Sequence, residues 1–388
     1  MGVNEFACDA LASRRAAGLM RQLHCVDGPQ DTWVTVDGRR ALLLCSNNYL
    51  GLANHPALRE AATRAAVDYG VGSGASRLIS GSMRLHEQLE AQLAALKGTE
   101  AALVFNSGYH ANIGVIAALV GNEDAVFSDA LNHASIIDGC RLSGARIVVY
   151  PHNDVLALEG ALATSAARRR LIVTESIFSM DGDTAPLRAI CDVAERHGAM
   201  LVVDEAHATG VIGPRGGGLV EAEGLRERVT LQMGTLGKAL GVFGAFVAGR
   251  RALIDLLINT ARTFIYTTAL PPPVLAASLA ALDIVASEPD RRQQVIDNAR
   301  QLRCLLQELG IDAGGAAHVI PLPTGNPERT MRLSTQLLEE RVFVQGIRPP
   351  TVPPATSRLR VTVMSTHTAA DLQFARDAFQ RVFATESS

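Results

Sequence analysis

The chain lacks an apolar run long enough to cross a bilayer: Ile113 to Gly121 and Gly241 to Gly249 reach about half of the roughly 20 residues a spanning helix needs. That excludes a membrane span. Charge of one sign is also missing, since lysine plus arginine number 36 against 39 acids and leave a formal charge of −3. Such a balance creates no phosphate-attracting field over the whole surface and argues against broad nucleic-acid binding. The N-terminal stretch carries Glu5 and Asp9 where a secretory leader has basic residues, and no long apolar core follows, so a cytoplasmic location is expected. The six cysteines (Cys8, Cys25, Cys45, Cys140, Cys191 and Cys304) form no Cys-x-x-Cys pair. Their scatter argues against a disulfide framework and against any metal site of the zinc type, and most are expected as small buried hydrophobes. Internal repeats and low-complexity tracts are absent as well.

What is present is an ordinary globular composition, 48% hydrophobic and 19% charged over 388 residues. At roughly 150 residues per domain this predicts two or three domains. Short β-branched runs at Ala101 to Phe105, Ala125 to Ser128, Ile147 to Tyr150, Leu171 to Glu175, Met200 to Asp204 and Val229 to Met233 alternate with longer helical patterns. This alternation predicts an α/β domain with a mainly parallel sheet between helices. Before it, His55-Pro56 opens a helix ending near Gly70, and Leu85, Leu89, Leu93 and Leu96 form a core stripe closed by Gly98. After Pro271-Pro272-Pro273 a long helix is expected through about Gly310, followed by a two-layer C-terminal domain. The expected division is an N-terminal segment 1–50, a large domain 51–270 and a C-terminal domain 271–388.

Two motifs mislead. Val202-Val203-Asp204-Glu205-Ala206-His207 imitates a magnesium-binding helicase strand, but Gly237-Lys238 is followed by Ala239 where a phosphate loop needs Ser or Thr. Gly70-x-Gly72-x-x-Ala75 imitates a dinucleotide fingerprint, yet it follows a helix instead of a strand and reads as a glycine loop.

The remaining polar residues sit at strand ends, where open α/β sheets bind ligands. Asn106-Ser107-Gly108-Tyr109 starts a helix whose free N–H groups can hold a phosphate. Asp204 closes a strand; taken alone, it reads more readily as a helix cap or a surface salt bridge than as a functional group. Lys238 lies among Leu236, Ala239, Leu240 and Val242, where it is either a desolvated nucleophilic amine or a snorkelling surface lysine. Together the three supply what pyridoxal phosphate (PLP) needs: an amine for its aldehyde, a carboxylate for its ring nitrogen and an anchor for its phosphate.

In chain order, SNNYLGL (46–52), GSGASRLISG (72–81), SDALNHASIIDG (128–139), TESIFSMDGD (174–183), VVDEAHATGVIG (202–213), GTLGKALG (234–241) and IRPPTVP (347–353) resemble the motifs of the α-oxoamine synthases. The likeness runs from about Arg21 to His367. It implies the PLP-dependent transferase fold type I, with a mainly parallel seven-stranded sheet flanked by helices and a smaller α/β C-terminal domain. The implied reaction joins an amino acid to an acyl thioester with loss of carbon dioxide.

By the same resemblance Lys238 binds the cofactor's aldehyde and then removes the substrate Cα proton, while Asp204 pairs with the ring nitrogen. His133 covers one ring face, His207 lies beside the phenolic oxygen, Ser179 and Thr235 touch the cofactor, and Gly108 and Tyr109 hold the phosphate. Arg360 matches the clamp for the amino-acid carboxylate, leaving Arg358 as a surface residue, and Asn47 orients the same substrate. Arg21 and Thr351 match acyl-side positions of the members that use L-alanine and a pimeloyl thioester for biotin, which favours that substrate pair over glycine with acetyl-CoA. SDALNHASIIDG and GTLGKALG look at least as much like the glycine-using member, and 310–342 diverges, so the donor stays open, as does CoA against a carrier protein. The family implies a homodimer with shared active sites, to which Ser76, Thr267 and Thr268 are candidate contributors from the second subunit. A non-catalytic scaffold is the alternative of a different class; the presence of Lys238, Asp204, His133 and Arg360 argues against it.

Overall fold

The computed structural model describes residues 2–384, which divide into two compact units. The larger comprises Asn47–Ser179 and Asp183–Gln294. Its centre is a seven-stranded sheet built from β1 (Ala101–Phe105), β2 (Ala125–Asp129), β3 (Arg146–Tyr150), β4 (Arg170–Glu175), β5 (Met200–Asp204), β6 (Leu231–Thr235) and β7 (Ala245–Gly249), in the order β1-β7-β6-β5-β4-β2-β3. Pairs among β2 to β6 are parallel, and β7 runs antiparallel to both of its neighbours. Strand periodicity of two divides the apolar side chains between two layers. Leu171, Val173 and Val202 enter one core with Val115 and Leu257, whereas Ile172, Leu201 and Val203 enter the other with Leu158 and Ile190. Burial on both faces explains why these strands read as continuous apolar runs. Two helices matter for the site, α1 (Gly108–Leu119) and α2 (Ala134–Ser143).

The seventh strand, β7, lies inside the apolar stretch Gly241 to Gly249 and is not among the six runs read from the sequence. A second difference follows Pro271: the expected single helix is two, Pro272–Ser287 and Asp290–Gln307, because Pro289 has no N–H with which to continue the ladder. The first of these packs on Pro56–Tyr69 in the larger unit. Of the cysteines, only Cys140 and Cys191 are buried. Cys8 is exposed on Val3–Ala16, a helix with no buried residue, and Cys25 and Cys304 are exposed too.

The smaller unit runs through Ser46, takes in Met180–Gly182 and resumes at Val295. Ser357–Thr362 is the central strand of its three-stranded antiparallel sheet, between Val319–Gly325 and Gln345–Ile347. Pro321 and Pro323 fall on an edge strand, where a missing N–H is tolerated. A separate four-stranded sheet pairs Val342–Phe343 with Arg39–Leu43.

One buried ion pair fixes the loop that leaves β5. Lys97, at the end of helix Arg84–Lys97, donates from Nζ to Glu205 Oε2 at 2.7 Å, to Thr209 Oγ1 at 2.9 Å and to the Gly217 carbonyl at 2.6 Å. Both side chains of the pair have no solvent exposure. All three ammonium hydrogens are therefore used, and Glu205 Oε1 accepts from the Val220 N–H at 2.9 Å. Lys97→Met leaves a buried carboxylate without its counter-ion and is expected to cost about 3–5 kcal/mol. A lowered urea midpoint, measured against the unaltered chain, checks this.

Candidate active site

The carboxyl-terminal ends of β4, β5 and β6 carry Glu175, Asp204 and Thr235, in line with the strand-end rule for open sheets. Asp204 is 5% exposed, and its carboxylate accepts from Asn112 Nδ2 at 2.8 Å and from the Ala206 N–H at 2.8 Å. Three residues on, His207 lies between an amine and a phenol. Lys238 Nζ is 2.7 Å from His207 Nε2, and Tyr49 Oη is 2.7 Å from His207 Nδ1. Tyr49 donates its proton to Asn47 Oδ1 at 2.9 Å, so its oxygen accepts from Nδ1–H and His207 Nε2 is left to accept from Lys238. Lys238 is half-buried, on the turn after β6 where Thr235 Oγ1 donates to the Gly244 carbonyl and accepts from the Gly237 N–H.

At the start of α1, Ser107 caps the helix by accepting from the His110 N–H at 3.2 Å. The N–H groups of Gly108 and Tyr109 have no carbonyl a turn earlier to bond, so this end can receive an anion. Tyr109 is exposed and its hydroxyl donates to Asp138, which raises its pKa. His133 caps α2 and has its Nδ1 at 2.8 Å from Ser135 Oγ. Burial, then the neighbouring Lys238 charge, hold the imidazole below its ordinary pKa against the pull of Asp204.

Glu175 joins two of these segments. Its Oε1 accepts from the His133 N–H at 2.6 Å, and the backbone N–H of Ser179 also bonds its carboxylate. Burial, reinforced by the Asp204 charge, pushes its pKa up to about 8. Behind it, His152 bridges Asp129 at 2.9 Å and Asp183 at 2.7 Å. Burial alone would depress that imidazole, but the two carboxylates outweigh it and lift its pKa to about 10. A cationic clasp thus ties the end of the Ser179 loop to β2.

The larger unit therefore gathers Asn47, Gly108, Tyr109, His133, Ser179, Asp204, His207, Thr235 and Lys238. Tyr49, Asn112, Ser135, Glu175 and His152, which support them, were not singled out in the sequence. Ser76 and Thr267 are half-buried and Thr268 is exposed; Asn106 Nδ2 donates to Thr267 Oγ1 and to the Thr268 carbonyl, both at 2.9 Å. In the smaller unit Arg21 and Thr351 are exposed, and Arg360 is buried on the central strand. The expectation for Arg358 is overturned: it is 8% exposed and ion-paired with Asp181. Period-two geometry puts it on the same covered face as Arg360.

Residues 39–379 match the family model described as aminotransferase class I and II. The 8-amino-7-oxononanoate synthase of Trichlorobacter lovleyi is 56% identical over 371 residues, 94% of each chain. That of Geobacter sulfurreducens is 54% identical over 376 residues, 96% of each. Among solved structures, serine palmitoyltransferase from S. paucimobilis with bound PLP superposes at a TM-score of 0.95 with 30% identity over all of both chains. An 8-amino-7-oxononanoate synthase from Francisella tularensis gives 0.77 with 28% identity, over 90% of this chain and 99% of that one.

Fold and site together define a PLP-dependent enzyme of fold type I. The chain belongs to the aminotransferase class I and II family. Its donor set fits the cofactor: an amine for the aldehyde, a carboxylate held by two donors for the ring nitrogen, and a helix start with uncommitted N–H groups for the phosphate.

Glu175 generates a pH prediction. Its carboxyl has an ordinary value of 4.5 and a folded value of about 8, so between these limits the native state keeps a proton the unfolded chain has lost. Stability contributed by this group therefore falls as pH rises through that window. Glu175→Gln keeps an oxygen facing the two N–H groups without the charge, and is expected to flatten the slope. Unfolding midpoints of the cofactor-free protein across the window check it.

Proposed function

We propose that this chain condenses L-alanine with a pimeloyl thioester, carried on CoA or a carrier protein, to give 8-amino-7-oxononanoate, carbon dioxide and the free thiol in biotin biosynthesis. The observation that carries this reading is identity of 51–56% to curated relatives of that name over more than nine-tenths of the chain. Backbone likeness to serine palmitoyltransferase is compatible with it, because a shared fold does not select the acyl donor.

Lys238 Nζ would hold the cofactor through its aldehyde, and the same amine would take and return the proton at Cα of alanine. The cofactor, when bound, supplies a ring that spreads the negative charge left on that carbon. Asp204 offers an acceptor to the protonated ring nitrogen, fixed in aim by Asn112 and Ala206. His133 would pack against the ring, and His207 would bond its phenolic oxygen. Ser179 and Thr235 would make further cofactor contacts, and Gly108 and Tyr109 would hold the phosphate. Arg360 clamps the substrate carboxylate with its planar fork, Asn47 orients the same substrate, and Arg21 and Thr351 serve the acyl side.

The enzyme acts as a cytoplasmic homodimer with shared sites, to which Ser76, Thr267 and Thr268 contribute. In support, the Ala269 N–H bonds the Ala75 carbonyl, so these two segments lie side by side, and they leave Ile79 and Tyr266 exposed.

Purified enzyme supplied with alanine or glycine against pimeloyl-, acetyl-, succinyl- and palmitoyl-CoA is expected to prefer alanine with pimeloyl-CoA. A preference for glycine with acetyl-CoA would refute the substrate assignment. Lys238→Ala is expected to abolish turnover. Arg360→Ala should cut kcat/KM for alanine by roughly 10- to 100-fold, the size of one lost charge-assisted contact.

A further inference from the structure

We propose that Asn112 and Ser135 are positioning residues: they form a one-way hydrogen-bond relay that aims the Asp204 carboxylate and holds His133 neutral, with its proton on Nε2. The relevance of this to catalysis rests on the cofactor contacts proposed for His133 and Asp204; the relay itself rests on geometry alone.

Asn112 Nδ2 is 2.8 Å from Asp204 Oδ2 and 2.9 Å from Ser135 Oγ. A carboxylate only accepts, which orients the amide, and an amide nitrogen has two hydrogens, so it donates to both. The Ser135 oxygen is thereby an acceptor on one side, and its single hydrogen is left for the other. There, 2.8 Å away, is His133 Nδ1. The Ser135 backbone N–H reaches the same nitrogen at 3.2 Å. Two donors converge on Nδ1, so a proton there would face both of them, and the ring keeps its hydrogen on Nε2.

Burial makes the arrangement costly to rearrange. Asn112 is 2% exposed and Ser135 is 1% exposed, so a reversed amide or an idle hydroxyl would be an unsatisfied group out of reach of water. Close helix packing sets the reach between them. A Cβ on Gly139 of α2 would come within 3.0 Å of Ile116 Cδ1 and 3.1 Å of the Asn112 carbonyl on α1, so a larger residue there would push the two helices apart. The charged groups around His133 are Asp204 and Lys238, with Glu175 bound to its backbone N–H. The first two act on the ring in opposite senses. The relay adds a local preference that neither supplies.

The test uses full-length protein labelled with 15N-histidine, with the His133 signals assigned by their loss in His133→Gln. In the cofactor-free chain, His133 is expected to show a protonated Nε2 and an accepting Nδ1. Ser135→Ala and Asn112→Leu should each let His133 protonate roughly tenfold more readily, about what one neutral hydrogen bond is worth. Ser135→Thr, which restores the hydroxyl, should return the original titration. A proton on Nδ1 in the unaltered chain, or an unchanged titration in Ser135→Ala, overturns the relay. Failure of the unaltered protein to bind PLP would instead count against the function reading and leave these spectra standing.

Discussion

Parallel pairing of β4 with β5 sets Glu175 directly beside Asp204, two carboxylates on neighbouring strands at the end of the sheet. Strands lie about 4.8 Å apart, so two negative charges in register there would repel strongly in a site with little water. The conflict is resolved by environment: Glu175 is driven toward its neutral form by burial and by Asp204. The pair is thereby split into a structural carboxyl, which organises the backbone at His133 and Ser179, and a functional one that faces the ring nitrogen in the proposed complex. Two acids with diverging protonation behaviour are a recurrent way of giving neighbouring groups different tasks.

Around that pair the polar groups are directed rather than merely close. One chain runs from Lys238 through His207 and Tyr49 to Asn47, another from Asn112 through Ser135 to His133. In the first, the phenol passes its proton outward and leaves His207 with an accepting Nε2. In the second, the amide passes its hydrogens both ways and leaves His133 with an accepting Nδ1. The two imidazoles are thus held in opposite tautomers by the hydrogen-bond partners of their Nδ1 atoms, Tyr49 and Ser135. The Lys97–Glu205 pair serves the same end at longer range by pinning the loop that bears His207. A buried pair of this kind gives little net stability over apolar packing, and its value lies in fixing a geometry.

Much of this is legible in the sequence. Parallel strands buried on both faces give unmistakable apolar runs, and Lys238, Asp204 and the α1 start stand at the ends of such runs. β7 escaped because an antiparallel strand set between two glycine-bounded turns reads as part of one apolar segment. Arg358 reads as a surface residue in the sequence because the covered face it shares with Arg360 at i+2 is recognisable only once that strand is central. The supporting residues are the least visible: Lys97 and Glu205 are 108 positions apart, and Asn112 and Asp204 are 92 apart. No local pattern joins partners that only the fold brings together.

The lysine content of the sequence is itself a signal. The chain contains just two lysines, Lys97 and Lys238, and arginine supplies the rest of its Lys and Arg cations. Arginine stays protonated and cannot serve as a nucleophilic amine, so where a fold otherwise uses guanidinium, a retained lysine marks a place that needs an ammonium. Lys97 needs its compactness, to place three hydrogens on three converging oxygens with no exposure at all. In the proposed function Lys238 needs its reactivity, the capacity to lose a proton and bond a carbonyl carbon. With Lys97 sealed from solvent, Lys238 is the one lysine amine open to an aldehyde. The attachment proposed at Lys238 is then supported by composition as much as by geometry.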